Sequence, residues 1–151
     1  MITFLSGNLL ESNAYALVNT VNTVGVMGKG IALQFKNAFP RNYAIYREAC
    51  LKHDLKIGQL LTIADSSLLL GERLIINFPT KTHWRLPSEY SYIEKGLQAL
   101  VNLIAENEIK SLALPALGCG NGGLDWLLVK EMIRQYLEPL ETAVEVYEPG
   151  Q

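Results

Sequence analysis

The stretch that most limits what this chain can become is Ala16-Leu-Val-Asn-Thr-Val-Asn-Thr-Val-Gly-Val-Met-Gly-Lys-Gly-Ile-Ala-Leu-Gln-Phe-Lys36. It opens as a short β-branched strand and closes as an amphipathic helix. Gly25, Gly28 and Gly30 lie between the two, with Lys29 among them. The continuous apolar run Ala16-Leu-Val18 suits a strand buried on both faces. A strand that breaks into a glycine loop and then a helix aims backbone N–H groups and a positive helix end at one spot, which makes an anion site. Asn19 and Asn22 stand near the strand's end, each with an acceptor and two donors suited to sugar hydroxyls. A lone glycine loop also serves merely to turn a corner, so a second one is needed.

Leu112-Ala-Leu-Pro-Ala-Leu-Gly-Cys-Gly-Asn-Gly-Gly-Leu-Asp-Trp126 repeats the design. In open α/β sheets ligands bind beyond the carboxyl ends of strands. Two such loops side by side suit a diphosphate held from both sides. Gly118, Gly120 and Gly123 also satisfy the dinucleotide fingerprint G-x-G-x-x-G. Only one strand remains after them, however, too little chain for the rest of a Rossmann fold.

Around these loops the periodicity predicts strands over residues 2–5, 13–21, 59–63, 73–78, 111–115 and 143–147. It predicts helices over 30–38, 41–53, 90–107 and 124–137. Pro40 fits the first turn of the second helix, and Ser88 is a fair N-cap for the third. Residues 79–87 read as a loop holding Lys81, His83, Trp84 and Arg85. Strands alternating with helices, with one antiparallel-looking stretch in the middle, predict a mixed sheet with helices on both faces.

Composition narrows the partners. At 151 residues one domain is expected, spanning residues 1–151, and roughly 70% of the chain's surface can be buried on folding. The net charge of -2 and pI of about 5.7 exclude a broad basic footprint for bulk nucleic acid. The two cysteines, Cys50 and Cys119, form neither a disulfide framework nor a metal-spaced pair, which points to a reducing compartment. No basic leader precedes the first strand, and no apolar run approaches the ~20 residues of a membrane helix. A cytoplasmic, monomeric protein without a membrane partner is expected. Two histidines far apart suggest no metal.

Ser6-Gly-Asn-Leu-Leu10, Val18-Asn-Thr-Val-Asn22, Met27-Gly-Lys-Gly-Ile-Ala32 and Pro115-Ala-Leu-Gly-Cys-Gly120 together resemble the successive motifs of a macrodomain, over essentially the whole chain. Asn77-Phe-Pro-Thr-Lys-Thr-His-Trp84 and Gly122-Gly-Leu-Asp-Trp126 resemble the DarG-type antitoxins within that family. The resemblance implies a three-layer α/β/α fold with a mixed six-stranded sheet and an ADP-ribose cleft. It implies a hydrolase that removes ADP-ribose from thymine bases in single-stranded DNA, reversing a DNA ADP-ribosyltransferase toxin that would be its partner. No cofactor is implied. By position, Asn8, Leu9, Asn19, Asn22, Thr23, Gly28, Lys29, Gly30 and Ile31 would bind ADP-ribose, with Asn22 at the distal ribose. Pro115 and Leu117 would bind ADP-ribose too, and Gly118, Cys119, Gly120, Asn121, Gly122 and Gly123 would form the second phosphate loop.

Two positions depart from the family. Asn8 stands where Asp commonly contacts the adenine amino group; its oxygen still accepts, without charge assistance. Gly122 stands where a glutamate-specific relative has a catalytic Asp, and it carries no acid–base group. Lys81 matches the lysine that attacks the anomeric carbon in this branch. A lysine attacks only as the neutral amine, a form favoured by burial or by cationic neighbours such as His83 and Arg85. The alternatives are a reader that binds ADP-ribose without turnover, for which Lys81 is a surface cation, and a hydrolase of another linkage, on protein glutamate or an RNA end. Asp125 is either a helix-end carboxylate or a catalytic group, and His83 a proton carrier or a loop residue. Trp84 is either a stacking surface for the substrate base or a core plug. Cys119 reads as a small loop filler, and Tyr43, Tyr46, Tyr90 and Tyr92 as packing.

Overall fold

The computed structural model describes residues 1–150. Its strands are β1 (Ile2–Leu5), β2 (Ala16–Asn22), β3 (Leu61–Ser67), β4 (Gly71–Lys81), β5 (Ser111–Pro115) and β6 (Ala143–Tyr147). The helices are α1 (Gly30–Ala38), α2 (Pro40–Leu51), α3 (Tyr90–Glu106) and α4 (Trp126–Leu137), with 3₁₀ turns at Leu9–Glu11 and Gly120–Gly122. The strands form one six-stranded sheet in the order β1-β6-β5-β2-β4-β3. All neighbours run parallel except β3, which returns antiparallel along β4.

The alternation of β2 explains the layers. Ala16 and Val18 face a core completed by Ile93, Leu97 and Leu100 of α3 and Val129, Ile133 and Leu137 of α4. Leu17 turns the other way, to Phe35 and Phe39, and Val21 joins Met27, Tyr46 and Cys50 on that side. A strand covered on both faces needs apolar side chains at successive positions, which is the run seen in the sequence. Among the described residues no helix is long and apolar enough to cross a membrane.

Two local differences from the sequence reading shape the site. β4 does not end at Phe78 but continues through Pro79 to Lys81. The ladder from β3 stops at the Leu61–Asn77 pair, so beyond it β4 has a free edge where a proline is tolerated. A register shift against β2 follows, with Val21 opposite Pro79 and Asn22 opposite Lys81; Thr80 is the extra residue of this bulge. Secondly, Ser88 does not cap α3. The cap residue is Glu89, without a side-chain bond; Ser88 lies one residue before it, its N–H donating to the Gly122 carbonyl 3.0 Å away and its buried hydroxyl without a partner. α3 lies close over β4 because Gly96 leaves room for the Phe78 ring: a Cβ there would meet it at 2.1 Å.

Candidate active site

From β2 the chain goes on to β3 and β4 on one side, whereas β5 leads to β6 on the other. The carboxyl ends of β2 and β5 therefore flank a topological switch point, the place where open parallel sheets bind ligands. A cleft of about 1130 Å³ opens there. Both glycine loops, the end of β4 and the residues after β6 line it.

The first loop is wound around one side chain. Asn22 Oδ1 accepts from the backbone N–H groups of Val24, Gly25 and Val26 at 3.1, 3.1 and 3.3 Å. Asn22 Nδ2 donates to the Val26 carbonyl at 2.8 Å. From α2 the buried Tyr46 hydroxyl reaches the Asn22 carbonyl at 2.7 Å and Oδ1 at 2.9 Å. Burial, reinforced by Cys50, holds the Tyr46 hydroxyl far above its usual pKa, so it remains a donor. Asn22 thus lines the cleft and shapes the loop at the same time: its oxygen is taken up within the chain, and Nδ2 spends one of its two N–H groups on Val26.

Asn19 does not reach the cleft. It points to the α1/α2 side, fully buried, with Nδ2 3.5 Å from Asn77 Oδ1 and 3.8 Å from Met27 Sδ. Its own oxygen has no partner. Thr23 and Leu117 also lie off the wall: Thr23 donates to the backbone carbonyls of Lys81 and Thr82, and Leu117 belongs to the core. Asn8, Leu9, Gly28, Lys29, Gly30 and Ile31 do line the cleft. Asn8 Oδ1 accepts from Leu10 N, and its Nδ2 donates to Gln34 Oε1, both at 3.0 Å.

The second loop is held by backbone. Cys119 N–H donates to Ala116 O, Gly123 to Gly120 and Leu124 to Gly118, each at 3.1 Å. Gly120 has φ +72 in open space, so its backbone alone demands glycine. Gly122 is limited by closeness instead: a Cβ would lie 2.4 Å from Ser88 Oγ, a buried hydroxyl without a partner. Pro115, Gly118, Cys119, Gly120, Asn121, Gly122 and Gly123 all line the wall. Burial, with Asp125 adding to it, pushes the Cys119 thiol up to about 11, which suits a filler and not a nucleophile. Asp125 caps α4 by accepting from Leu127 N at 2.9 Å, and it does not line the cleft.

Lys81 stands at the mouth, half-buried, with Nζ donating to the Trp84 carbonyl at 3.3 Å. Trp84 is 43% exposed and lines the cleft, which removes the core-plug reading. His83 stacks on Trp84 with ring centroids 5.3 Å apart, off the cleft wall, and its Nδ1 accepts from Arg85 N. Lys29, Lys81 and Arg85 line the cleft against one carboxylate, Glu148. Bonds from Trp126 Nε1 at 2.9 Å and Lys130 Nζ at 3.0 Å hold Glu148 below its usual carboxylate pKa. The cleft is therefore cationic along its walls and suits a diphosphate. Among the described residues no group of three or more His, Cys, Asp and Glu is placed to hold a metal ion.

Thr80, Arg85, Tyr147 and Glu148 line the cleft without having been singled out as ligand contacts. The rule that sites lie beyond strand carboxyl ends, applied to the last strand, finds Tyr147, the end of β6 and the register partner of Pro115. Thr80, buried at the bulge in β4, carried no such signal.

The Macro domain model matches residues 18–133. The chain is 55% identical over 150 residues to a DNA ADP-ribosyl glycohydrolase of Thermus aquaticus, covering 99% of this chain and 41% of that protein. The solved macrodomain of Mycobacterium tuberculosis DarG superposes with a TM-score of 0.93 at 47% identity, covering 100% of this chain and 99% of that one. Thermosipho africanus has a DNA ADP-ribosyl transferase-DNA ADP-ribosyl glycohydrolase fusion protein, 41% identical over 98% of this chain and 42% of its own length. A structure of Thermosipho africanus DarTG in complex with ADP-ribose matches with a TM-score of 0.91 at 41% identity, over 98% of this chain and 41% of that one. The chain thus spans about two fifths of the length of these full-length relatives, and over that span it belongs to the macrodomain family, within the DarG type.

Proposed function

We propose that this chain is a single macrodomain that hydrolyses the N-glycosidic bond between ADP-ribose and a thymine base of single-stranded DNA. It would thereby reverse a DNA ADP-ribosyltransferase toxin in the cytoplasm, as a monomer and without a cofactor. The observation that carries the reading is Lys81, an amine at the mouth of a cationic cleft, between two glycine loops. The Thermosipho africanus fusion of transferase and glycohydrolase supports the pairing with a toxin.

In this reading the loops bind the diphosphate and hold the distal ribose still. The neutral Lys81 amine attacks C1″, forming a C–N bond as the thymine nitrogen leaves with its bonding pair and takes up a proton. Water then resolves the adduct, giving ADP-ribose and the free amine. Fixing the ribose against the amine supplies orientation, which lowers the barrier without further chemistry from the protein.

The test is release of ADP-ribose from a thymidine-modified oligonucleotide, beside ADP-ribosylated glutamate protein. Wild type is expected to act on the oligonucleotide. Lys81→Ala should keep ADP-ribose affinity and lose release by on the order of a thousandfold. Binding without release by wild type would make the chain a reader, release only from glutamate would move the linkage, and full turnover by Lys81→Ala would remove the lysine from its role.

A further inference from the structure

The turn after Lys81 carries a feature that breaking one glycosidic bond does not require. His83, Trp84 and Arg85 form a stacked column, with the imidazole 5.3 Å from the Trp84 ring at 29° and the Arg85 guanidinium carbon 4.5 Å from its centroid. The turn is braced from within, by Arg85 N donating to His83 Nδ1 and Leu86 N donating to His83 O, both at 3.1 Å. It is anchored to the proposed nucleophile, whose Nζ bonds the Trp84 carbonyl. Despite two stacked neighbours, Trp84 remains 43% exposed, with Leu86 at 51% beside it and Val26 at 42% on the first loop. Large apolar side chains left open at a cleft mouth mark a contact surface.

Charge identifies what lies there. Among the described residues the only salt bridges join Lys52 to Glu48 and Lys130 to Glu148. Lys29 and Arg85, both on the cleft, are left without an acidic partner, in a chain of net charge -2. An exposed aromatic column beside unpaired cations is the pattern that binds single-stranded nucleic acid: bases stack on the rings, and phosphates meet the cations. A duplex keeps its bases stacked on one another and offers no free face to the column.

We infer that the column of His83, Trp84 and Arg85 docks single-stranded nucleic acid, taking the base and phosphate of a nucleotide that adjoins the modified one. The inference rests on reading the cleft as an ADP-ribosyl-thymine site. It extends recognition past the modified base to its strand, and makes Trp84 and Arg85 selectors of single-stranded over duplex substrate. Because the column hangs on the Lys81 contact, the strand and the reacting carbon are aligned by the same turn.

The test uses an unmodified oligothymidylate of about six nucleotides, within the usual site size of such surfaces. Binding is read by fluorescence anisotropy across a salt series, in parallel with ADP-ribose release from modified oligonucleotide. Wild type should bind the single strand, and Trp84→Ala should weaken it about tenfold. Trp84→Phe should restore most of the affinity, and Arg85→Gln should lower the log–log salt slope by about 1. A duplex of the same length should bind no better than the single strand binds Trp84→Ala. Equal binding by wild type and variants that retain ADP-ribose affinity, or equal binding of duplex and single strand, overturns the inference. Strand binding through the column without ADP-ribose release would sink the proposed activity and leave the column standing. Release with a column indifferent to strand would do the reverse.

Discussion

The two glycine loops share a design in sequence and differ in what holds them. Residues 23–29 are wound by a side chain: Asn22 satisfies three backbone N–H groups and one carbonyl, and Tyr46 braces it from α2. Residues 116–125 are held by backbone-to-backbone bonds and by the absence of side chains, with Gly122 pressed onto Ser88. One loop depends on a polar group being present, the other on a methyl being absent. Two turns of one design therefore have opposite sensitivities, and mutations separate them.

The largest effect is expected at Asn22. Asn22→Leu strands three backbone donors, while the Tyr46 hydroxyl keeps the backbone carbonyl of residue 22, and should cost about 3–4 kcal/mol, lowering Tm by roughly 10 °C. Calorimetry checks this, and a melt unchanged from wild type would mean that the loop holds its own shape. Next comes Gly122→Ala, expected to cost about 1–3 kcal/mol through overpacking against Ser88. Adding Ser88→Gly should recover much of that, a non-additivity that a double-mutant cycle reads directly. Additive losses would break the claim that closeness is what keeps position 122 a glycine. The smallest effect lies at the far end of the cleft. Glu148 has a folded pKa below its unfolded value, so it binds fewer protons when folded and stabilises the fold above the ordinary carboxylate range. That contribution disappears as pH falls through the acid range, and Glu148→Gln should flatten the acid limb of a Tm-against-pH curve. An unaltered limb would show that the bonds from Trp126 and Lys130 do not bear on folding.

Much of the fold was legible because its signals are local. α1 begins at Gly30 and ends at Ala38 as its periodicity says, and β5 and β6 fall where their apolar runs fall. Pro40 opens α2 because its fixed φ suits a first turn. Ser88 misled, since the helix starts one residue later than its cap signal says and the serine hydroxyl is buried beneath Gly122 of a distant loop. The end of β4 misled for a related reason: a proline reads as a strand stop unless one knows that β3 has already ended beside it. In the site, residue type pointed to both loops and the family resemblance to Lys81, but neither told wall from core. Asn19 and Asn22 are equal in composition and three residues apart. One lies beneath the cleft beside Met27, the other lines it.

By itself the sequence determined the order of strand, glycine loop and helix, taken twice, and with it the existence of two glycine turns at strand ends. These follow from backbone conformation and apolar periodicity, which act over a few residues. Only the tertiary structure decided which polar groups stay free for a ligand. A hydrogen-bonding valence is spent or saved according to what arrives from far along the chain: Tyr46 on Asn22, Ser88 beneath Gly122, the Trp84 carbonyl on Lys81. That is why residues of the same type became loop scaffold, buried core or cleft wall.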